Sequence, residues 1–325
     1  METIDIIDIY AIHNKVYADL NPAIWIEFTD HEIAAKFSPE PPPKLEVYRT
    51  TTYNVAIFLK FETVDCPHSV NFNKKVYKIK VVEVGPPLNS QLCLVFKNEW
   101  SRISKFINYY KRVHKVDRFL LYDNNSTEEP LTEIINRPDV IYIPWQIPYK
   151  HTITDKAKLS PDYTGPDEII AAQNSAYSHA LKRYPEAQWT AFLDTDEFLV
   201  RRSYGPSLQQ ILESTQESTD TLILRGFWAG CNKFSRAEIY ENLHRINRRS
   251  LNFCMNKLIL RTSQHLFTDC IHRAYPTKGN STMLGFDKGI YFFHIRSLSD
   301  KRPEPCDCKT FCKHVDRSLI ESWYH

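Results

Sequence analysis

The chain has 325 residues, 42% hydrophobic and 25% charged, enough apolar material for one large domain or two ordinary ones and too much for wholesale disorder. Lys and Arg number 41 against 39 Asp and Glu, and a net charge of +2 gives no global argument for nucleic acid or an anionic membrane as partner. The start METIDIIDIY lacks the basic residues and continuous apolar core of a signal peptide, and no uncharged apolar run of roughly eighteen residues follows, so the chain reads as soluble and cytoplasmic, without a transmembrane segment.

Residues 1–88 carry short alternating or β-branched runs, IDIIDIYAI, AIWIEF, NVAIFLKFETV and VYKIKVVEV, separated by SPEPPPK and PHSVNFNKK. This pattern predicts a small β-rich module. The stretch GPPLNS (85–90) is the bend or linker that closes it. From residue 89 to 325 the pattern becomes α/β. QLCLVF, RFLLYDN and VIYIPWQ read as strands, EWSRISKFINYYKRV as an amphipathic helix and PLTEIINR as a short helix. A loop at 147–165 leads to a helix opened by Pro166, PDEIIAAQNSAYSHALKRY, and then to WTAFLDTDEFLV, read as one continuous strand. Nearly all-apolar strands joined by helices predict a mostly parallel sheet covered on both faces.

Ligands in such sheets sit beyond the carboxyl ends of the strands, where this sequence places its polar residues. Lys97, Asn98 and Glu99 follow one strand, Asp123 to Ser126 the next, and Asp194, Thr195 and Asp196 the last. If residues 189–200 are one strand, Asp194 and Asp196 share a face roughly 7 Å apart. Their charges would then repel by roughly 2 kcal/mol at an effective dielectric near 20. A hard divalent cation, Mg²⁺ or Mn²⁺, suits that pair and would remove the repulsion. Glu197 is expected to turn to the opposite strand face.

Absences narrow the chemistry. The eight glycines form neither G-x-G-x-x-G nor a P-loop, and neither H-E-x-x-H nor G-x-S-x-G occurs. Eight scattered cysteines predict mostly free thiols; Cys306, Cys308 and Cys312 with His314 are spaced more tightly than usual zinc sets.

The ordered set KNE (97–99), YDNNS (122–126), a helix carrying Gln173, and DTDEF (194–198), followed by NLHRINRRS, NKLILRTSQ, CIHRAYP and FFHIRSLS, resembles glycosyltransferase family 92 among the nucleotide-sugar glycosyltransferases of GT-A fold. The resemblance spans about residues 91–299. It implies a Rossmann-like GT-A domain, a UDP-sugar donor, bound Mn²⁺ or Mg²⁺, and inverting transfer to a glycan or other hydroxyl acceptor. By the same resemblance Asp123 contacts the uracil, Asn98 and Glu99 lie near the nucleoside, and Asp194 faces the ribose and donor sugar. Asp194, Asp196 and His294 are the implied metal set. Arg245, Arg248, Arg249 and Lys257 add charge near the diphosphate. The base is left open among Asp269, Glu241, Glu238 and Glu197, with Asp269 favoured for its place just before His272. Two other readings stand beside this one: a glycan-binding module on an inactive GT-A fold, and a metal-dependent phosphoryl hydrolase. Asp123 has a structural alternative as the cap of its own turn, and His294 one as a core histidine.

Overall fold

The computed structural model describes residues 5–13, 15–25, 28–38, 40–42, 44–49, 56–63, 68–153, 168–201, 205–229, 256–265, 279–285 and 288–295. The first part holds β1 (Ile6–Ile12), β2 (Lys15–Leu20), α1 (Pro22–Trp25), α2 (Asp30–Ala34), β3 (Phe37–Ser38), β4 (Glu46–Arg49), β5 (Ile57–Glu62), β6 (Ser69–Phe72), β7 (Lys75–Lys78) and β8 (Lys80–Val81). Five of these strands form a sheet in the order β4-β5-β2-β1-β8, and β3-β6-β7 form a second. Val16, Ala18, Leu20, Leu59 and Phe61 pack with Trp25, Phe37 and Phe72 in one core.

Ala23, Ile24 and Trp25 of the run AIWIEF are helical, not strand. Asn21 and Pro22 open a helical turn instead: the Asn21 side chain accepts the Ala23 N–H (3.1 Å), and its carbonyl accepts those of Ile24 and Trp25. Proline at the first helical position has lost only an N–H that the helix leaves unpaired anyway. Trp25 is thereby swung into the core, its indole donating to the Asp5 carbonyl at 3.0 Å.

The second part comprises β9 (Leu88–Phe96), α3 (Trp100–Tyr109), β10 (Arg118–Asp123), α4 (Thr132–Ile135), β11 (Val140–Pro144), β12 (Lys150–Thr152), β13 (Glu168–Ile170), α5 (Ala172–Arg183), β14 (Ala187–Phe192), β15 (Glu197–Arg201), α6 (Leu208–Ser214), β16 (Thr219–Leu224), β17 (Gly226–Ala229), β18 (Lys257–Arg261), β19 (Asn280–Leu284) and β20 (Ile290–Ile295). Seven strands form one sheet in the order β11-β10-β9-β14-β18-β16-β19. β9, β10, β11 and β14 run parallel, as do β16 and β19, while β18 lies antiparallel to both its neighbours. This is the mostly parallel α/β sheet, preceded by β-rich sheets, expected from the strand pattern. Both faces are buried, as the apolar runs require: Leu92, Leu94, Phe119 and Leu121 join the core with α3 and α6, while Cys93, Leu120 and Tyr122 join the core with α5. Cys93 is a free thiol whose pKa burial pushes well up, so it is inert packing. The other seven cysteines lie outside the described residues.

Three boundaries differ from expectation. β9 starts at Leu88, inside the supposed linker. The helix expected from Pro166 starts at Ala172, because Glu168–Ile170 pairs with Lys150–Thr152 as a two-stranded ribbon. WTAFLDTDEFLV is two strands, not one. β14 ends at Phe192, and β15 belongs to a three-stranded sheet, β15-β20-β17. Asp194 to Glu197 is the turn between them, closed by the Glu197 N–H on the Asp194 carbonyl (3.0 Å) and by the Asp194 N–H on the Glu197 carboxylate (2.9 Å).

The two parts meet along β1 and α5. His179 lies between the Tyr122 hydroxyl (2.7 Å) and the Asp8 carboxylate (3.2 Å), and Lys80 reaches the other Asp8 oxygen at 2.6 Å. The buried Lys182 ammonium sits 3.0 Å from Asp19 and 3.9 Å from the centre of the Phe58 ring. Burial alone would raise the Asp8 carboxyl, but hydrogen bonds and charge from His179 and Lys80 outweigh it and hold the group below its ordinary 3.8. Stability from a depressed carboxyl is fully present above the unfolded value and is lost as pH falls below it. Asp8→Asn should therefore cost about 2 kcal/mol in neutral urea titrations, and the gap to wild type should close as pH drops below 3.8.

Candidate active site

β9 and β14 are neighbours although they are the first and fourth strands of the seven-stranded sheet in sequence, and β10 lies on the other side of β9. The crevice beyond their carboxyl ends is the point where strand order reverses. Three segments are tied together there. The Asn98 N–H donates to the Ser126 hydroxyl at 2.8 Å, joining KNE to YDNNS. The Thr195 hydroxyl donates to Glu99 in a short hydrogen bond, joining KNE to DTDEF. Asn98 and Asn125 hold left-handed backbones, φ 55 and 57, which asparagine tolerates better than other side-chain-bearing residues. Burial raises the Glu99 carboxyl, the Thr195 hydrogen bond and Arg102 lower it, and Asp196 and Asp194 add to the rise; the net shift is upward.

Asp123 is buried at the end of β10. One carboxylate oxygen accepts the Ser126 N–H at 2.9 Å, and the other accepts the Tyr142 hydroxyl at 3.1 Å. It does cap its own turn. Asn98 spends its side-chain oxygen on the Thr127 N–H (2.7 Å), so it shapes the same loop.

The carboxylates of DTDEF are divided between two partners. Asp194 receives the Gln173 amide at 2.9 Å on one oxygen and the Lys257 ammonium at 2.7 Å on the other. Lys257 also lies 3.1 Å from Glu197, and both it and Glu197 are 1% exposed. Burial would lower the Lys257 pKa, but Asp194 and Glu197 outweigh it and hold it well above the ordinary value. Burial raises Glu197 to about 7, with Lys257 opposing that rise. Lys257 is thus held between Asp194 and Glu197 as the internal counterion of the cluster. Glu197 likewise does not turn away: it lies beneath the rim, because the break at Asp194–Asp196 resets the side-chain alternation that a single strand would impose.

Asp196 faces the second partner. His294, paired directly with Glu197 in the β15–β20 register, places Nε2 3.1 Å from the Asp196 carboxylate and Nδ1 3.6 Å from Glu197. Burial would lower the His294 pKa, yet Asp196, Glu197 and Asp194 together raise it. It is half-buried at the rim, so the core-histidine alternative does not describe it.

Among the described residues no three His, Cys, Asp or Glu side chains gather as a set able to hold a metal. Asp196 and His294 do stand together, one carboxylate and one imidazole. A cation that keeps several waters and takes its remaining ligands from substrate phosphates needs only such a pair from the protein. The donor chemistry of Asp196 and His294 fits Mg²⁺ or Mn²⁺, while both Asp194 oxygens are engaged by Gln173 and Lys257.

A family model described as glycosyltransferase family 92 matches residues 92–322, which spans all of these segments. The chain belongs to glycosyltransferase family 92. No curated protein matches this family 92 chain. Among solved structures, S. aureus TarS 1-349 in complex with UDP-GlcNAc is similar with a TM-score of 0.38 and 11% identity, over 67% of this chain and 62% of that one. TarS 1-349 in complex with UDP is similar with a TM-score of 0.36 and 13% identity, over 64% and 60%. The chain therefore spans less than two thirds of the length of these structures. Among the described residues no helix is long and apolar enough to cross a membrane.

Sequence reasoning did not find the residues that hold the DTDEF turn from behind. α3 runs on into a π-type turn, Tyr110–His114. The Tyr110 hydroxyl donates to the Glu197 carbonyl at 2.8 Å and accepts the Leu199 N–H at 2.9 Å, and Tyr109 and His114 both bond the Leu199 carbonyl. The adjacent YY at the end of an amphipathic helix was the available signal. Asp269, Glu241, Glu238, His272, Arg245, Arg248 and Arg249, and the CDCKTFCKH stretch, lie outside the described residues.

Removing one member of a buried ion cluster leaves the others uncompensated. Lys257→Met should destabilise the fold by about 3–5 kcal/mol, read as a lower denaturation midpoint, and Lys257→Arg should recover part of it.

Proposed function

We propose that this family 92 chain transfers a sugar from a UDP-sugar to a hydroxyl of a glycan or other acceptor, using Mn²⁺ or Mg²⁺ and inverting the anomeric centre. The observation that carries the reading is the Asp196–His294 pair, 3.1 Å apart at a strand-order switch point whose rim also holds Asp194 and the Asp123 turn. Asp196 and His294 would hold the cation, which when bound neutralises charge on the departing diphosphate.

The remaining work belongs to the chain's own side chains. Asp194 is fixed at both oxygens, which leaves it oriented to accept hydroxyls of ribose and donor sugar without reorganising. Asp123 and Tyr142 fix the loop on the base side, and the half-buried Tyr142 ring, tilted against Trp100 with centroids 5.6 Å apart, gives the uracil a surface beside that carboxylate. Glu99 and Asn98 shape the wall between the two. Arg245, Arg248 and Arg249 supply positive charge for the diphosphate. Inversion needs one displacement: the acceptor oxygen bonds the anomeric carbon as the bond to UDP breaks, and the hydroxyl proton passes to a carboxylate, Asp269 or Glu241. Glu197 is enclosed and does not serve as that base.

Asp196→Asn should lower Mn²⁺-dependent UDP release by about 100-fold or more while the melting temperature stays near wild type. Unchanged turnover in a coupled UDP assay would refute the assignment. Asp123→Ala should raise the dissociation constant for UDP, measured by calorimetry, by a larger factor than it lowers kcat. If binding is unaltered, Asp123 serves only its turn.

A further inference from the structure

We infer that Gln173 is a positioning residue: its buried side-chain amide aims the Asp194 carboxylate at the donor and meets no substrate itself. The inference rests on the donor-facing role given to Asp194 above and names the group that enforces it.

Gln173 stands in the first turn of α5 and is 3% exposed, so it lies beneath the rim and not on its surface. Its amide nitrogen donates to an Asp194 oxygen at 2.9 Å and to the Tyr177 hydroxyl at 2.9 Å. A carboxylate only accepts, so the amide must turn its nitrogen to Asp194, and these two bonds account for both hydrogens on that nitrogen. The amide oxygen then faces the other way, with the Tyr149 hydroxyl 3.4 Å from it. Tyr177 lies one helical turn further on and is fully buried, its ring against Phe192 with centroids 4.4 Å apart, so the hydroxyl that holds the amide is itself fixed by packing.

The residue type matters. Asp194 shares Lys257 with Glu197, so an acid at 173 would bring a third carboxylate to one ammonium. An alkyl side chain would drop the hydrogen bond that balances the pull of Lys257. A neutral donor avoids both. Held at one oxygen from α5 and at the other from β18, the carboxylate keeps a single orientation. The helix that carries the amide is itself anchored: the Trp145 indole donates to the Ala172 carbonyl at 2.9 Å beside Gln173, while His179 and Lys182 pin the other end to Asp8 and Asp19.

The test uses the full chain and Mn²⁺-dependent UDP-sugar turnover. Gln173→Met keeps the length and removes the donor, and kcat/KM should fall about 10- to 100-fold, the range for a hydrogen bond to a charged group. A residue that acts through Asp194 has nothing left to do once that carboxylate is gone. Added to Asp194→Ala, Gln173→Met should therefore cost less than about twofold more. Wild-type activity in Gln173→Met alone, or its full loss repeated beside Asp194→Ala, overturns the inference. For a Gln173→Met chain that does not fold, Tyr177→Phe keeps the ring and releases the amide; its smaller loss should likewise vanish beside Asp194→Ala, and a loss that persists there overturns the inference. Melting of the same single and double variants is read independently of turnover. Non-additive shifts support the Gln173–Asp194 link and additive shifts overturn it, so a wild type that turns over no UDP-sugar removes the donor reading while the link is still decided.

Discussion

The enclosed ammonium of Lys257, shared by Asp194 and Glu197, is the interaction on which the site depends. A rim carboxylate and an enclosed one cannot be brought this close without a cation between them, and an attraction of roughly 4 kcal/mol per pair near 4 Å is of the size that offsets the desolvation of the enclosed one. Topology delivers the charge. β18 runs against β14, so the first residue of β18 lies beside the last turn of β14, and that residue is Lys257. A parallel strand in the same slot would have put its start at the far end of the sheet. The antiparallel insertion is thus an electrostatic device as much as a topological one.

Much of the architecture was legible. The alternation Leu92, Cys93, Leu94 and Phe119, Leu120, Leu121 is apolar on both faces, which only a sheet covered on both sides tolerates, and the polar residues after each strand marked the crevice. What failed were decisions that local pattern cannot make. AIWIEF alternates like a strand, but Asn21 and Pro22 settle its first three residues as a helical turn. In WTAFLDTDEFLV both halves are strands, so nothing in the apolar pattern says that the chain changes sheets at Asp194; the break is made by reciprocal hydrogen bonds between Asp194 and Glu197 and by contacts from Tyr110.

The site itself was legible in membership and less so in assignment. Asp194, Asp196, Glu197, Lys257 and His294 do come together from four strand ends that lie up to about a hundred positions apart in sequence. Charge type alone could not divide them. The repulsion foreseen between the two aspartates is met by separate partners, Lys257 for Asp194 and His294 for Asp196, because the turn gives each carboxylate a different environment. Spacing pointed to positive charge beside the aspartates, while only the fold shows that the Lys257 side chain supplies it to Asp194.

The Tyr122–His179–Asp8 chain reaches from the first strand of the protein to the residue just before Asp123. Cutting the polypeptide where the strand pattern changes, near residue 88, would strip His179 of its carboxylate and Lys182 of Asp19, leaving a buried imidazole and a buried ammonium facing water or nothing. A recombinant fragment made that way would be expected to precipitate. The β-rich sheets therefore cover the underside of α5 and supply the carboxylates that its buried histidine and lysine use.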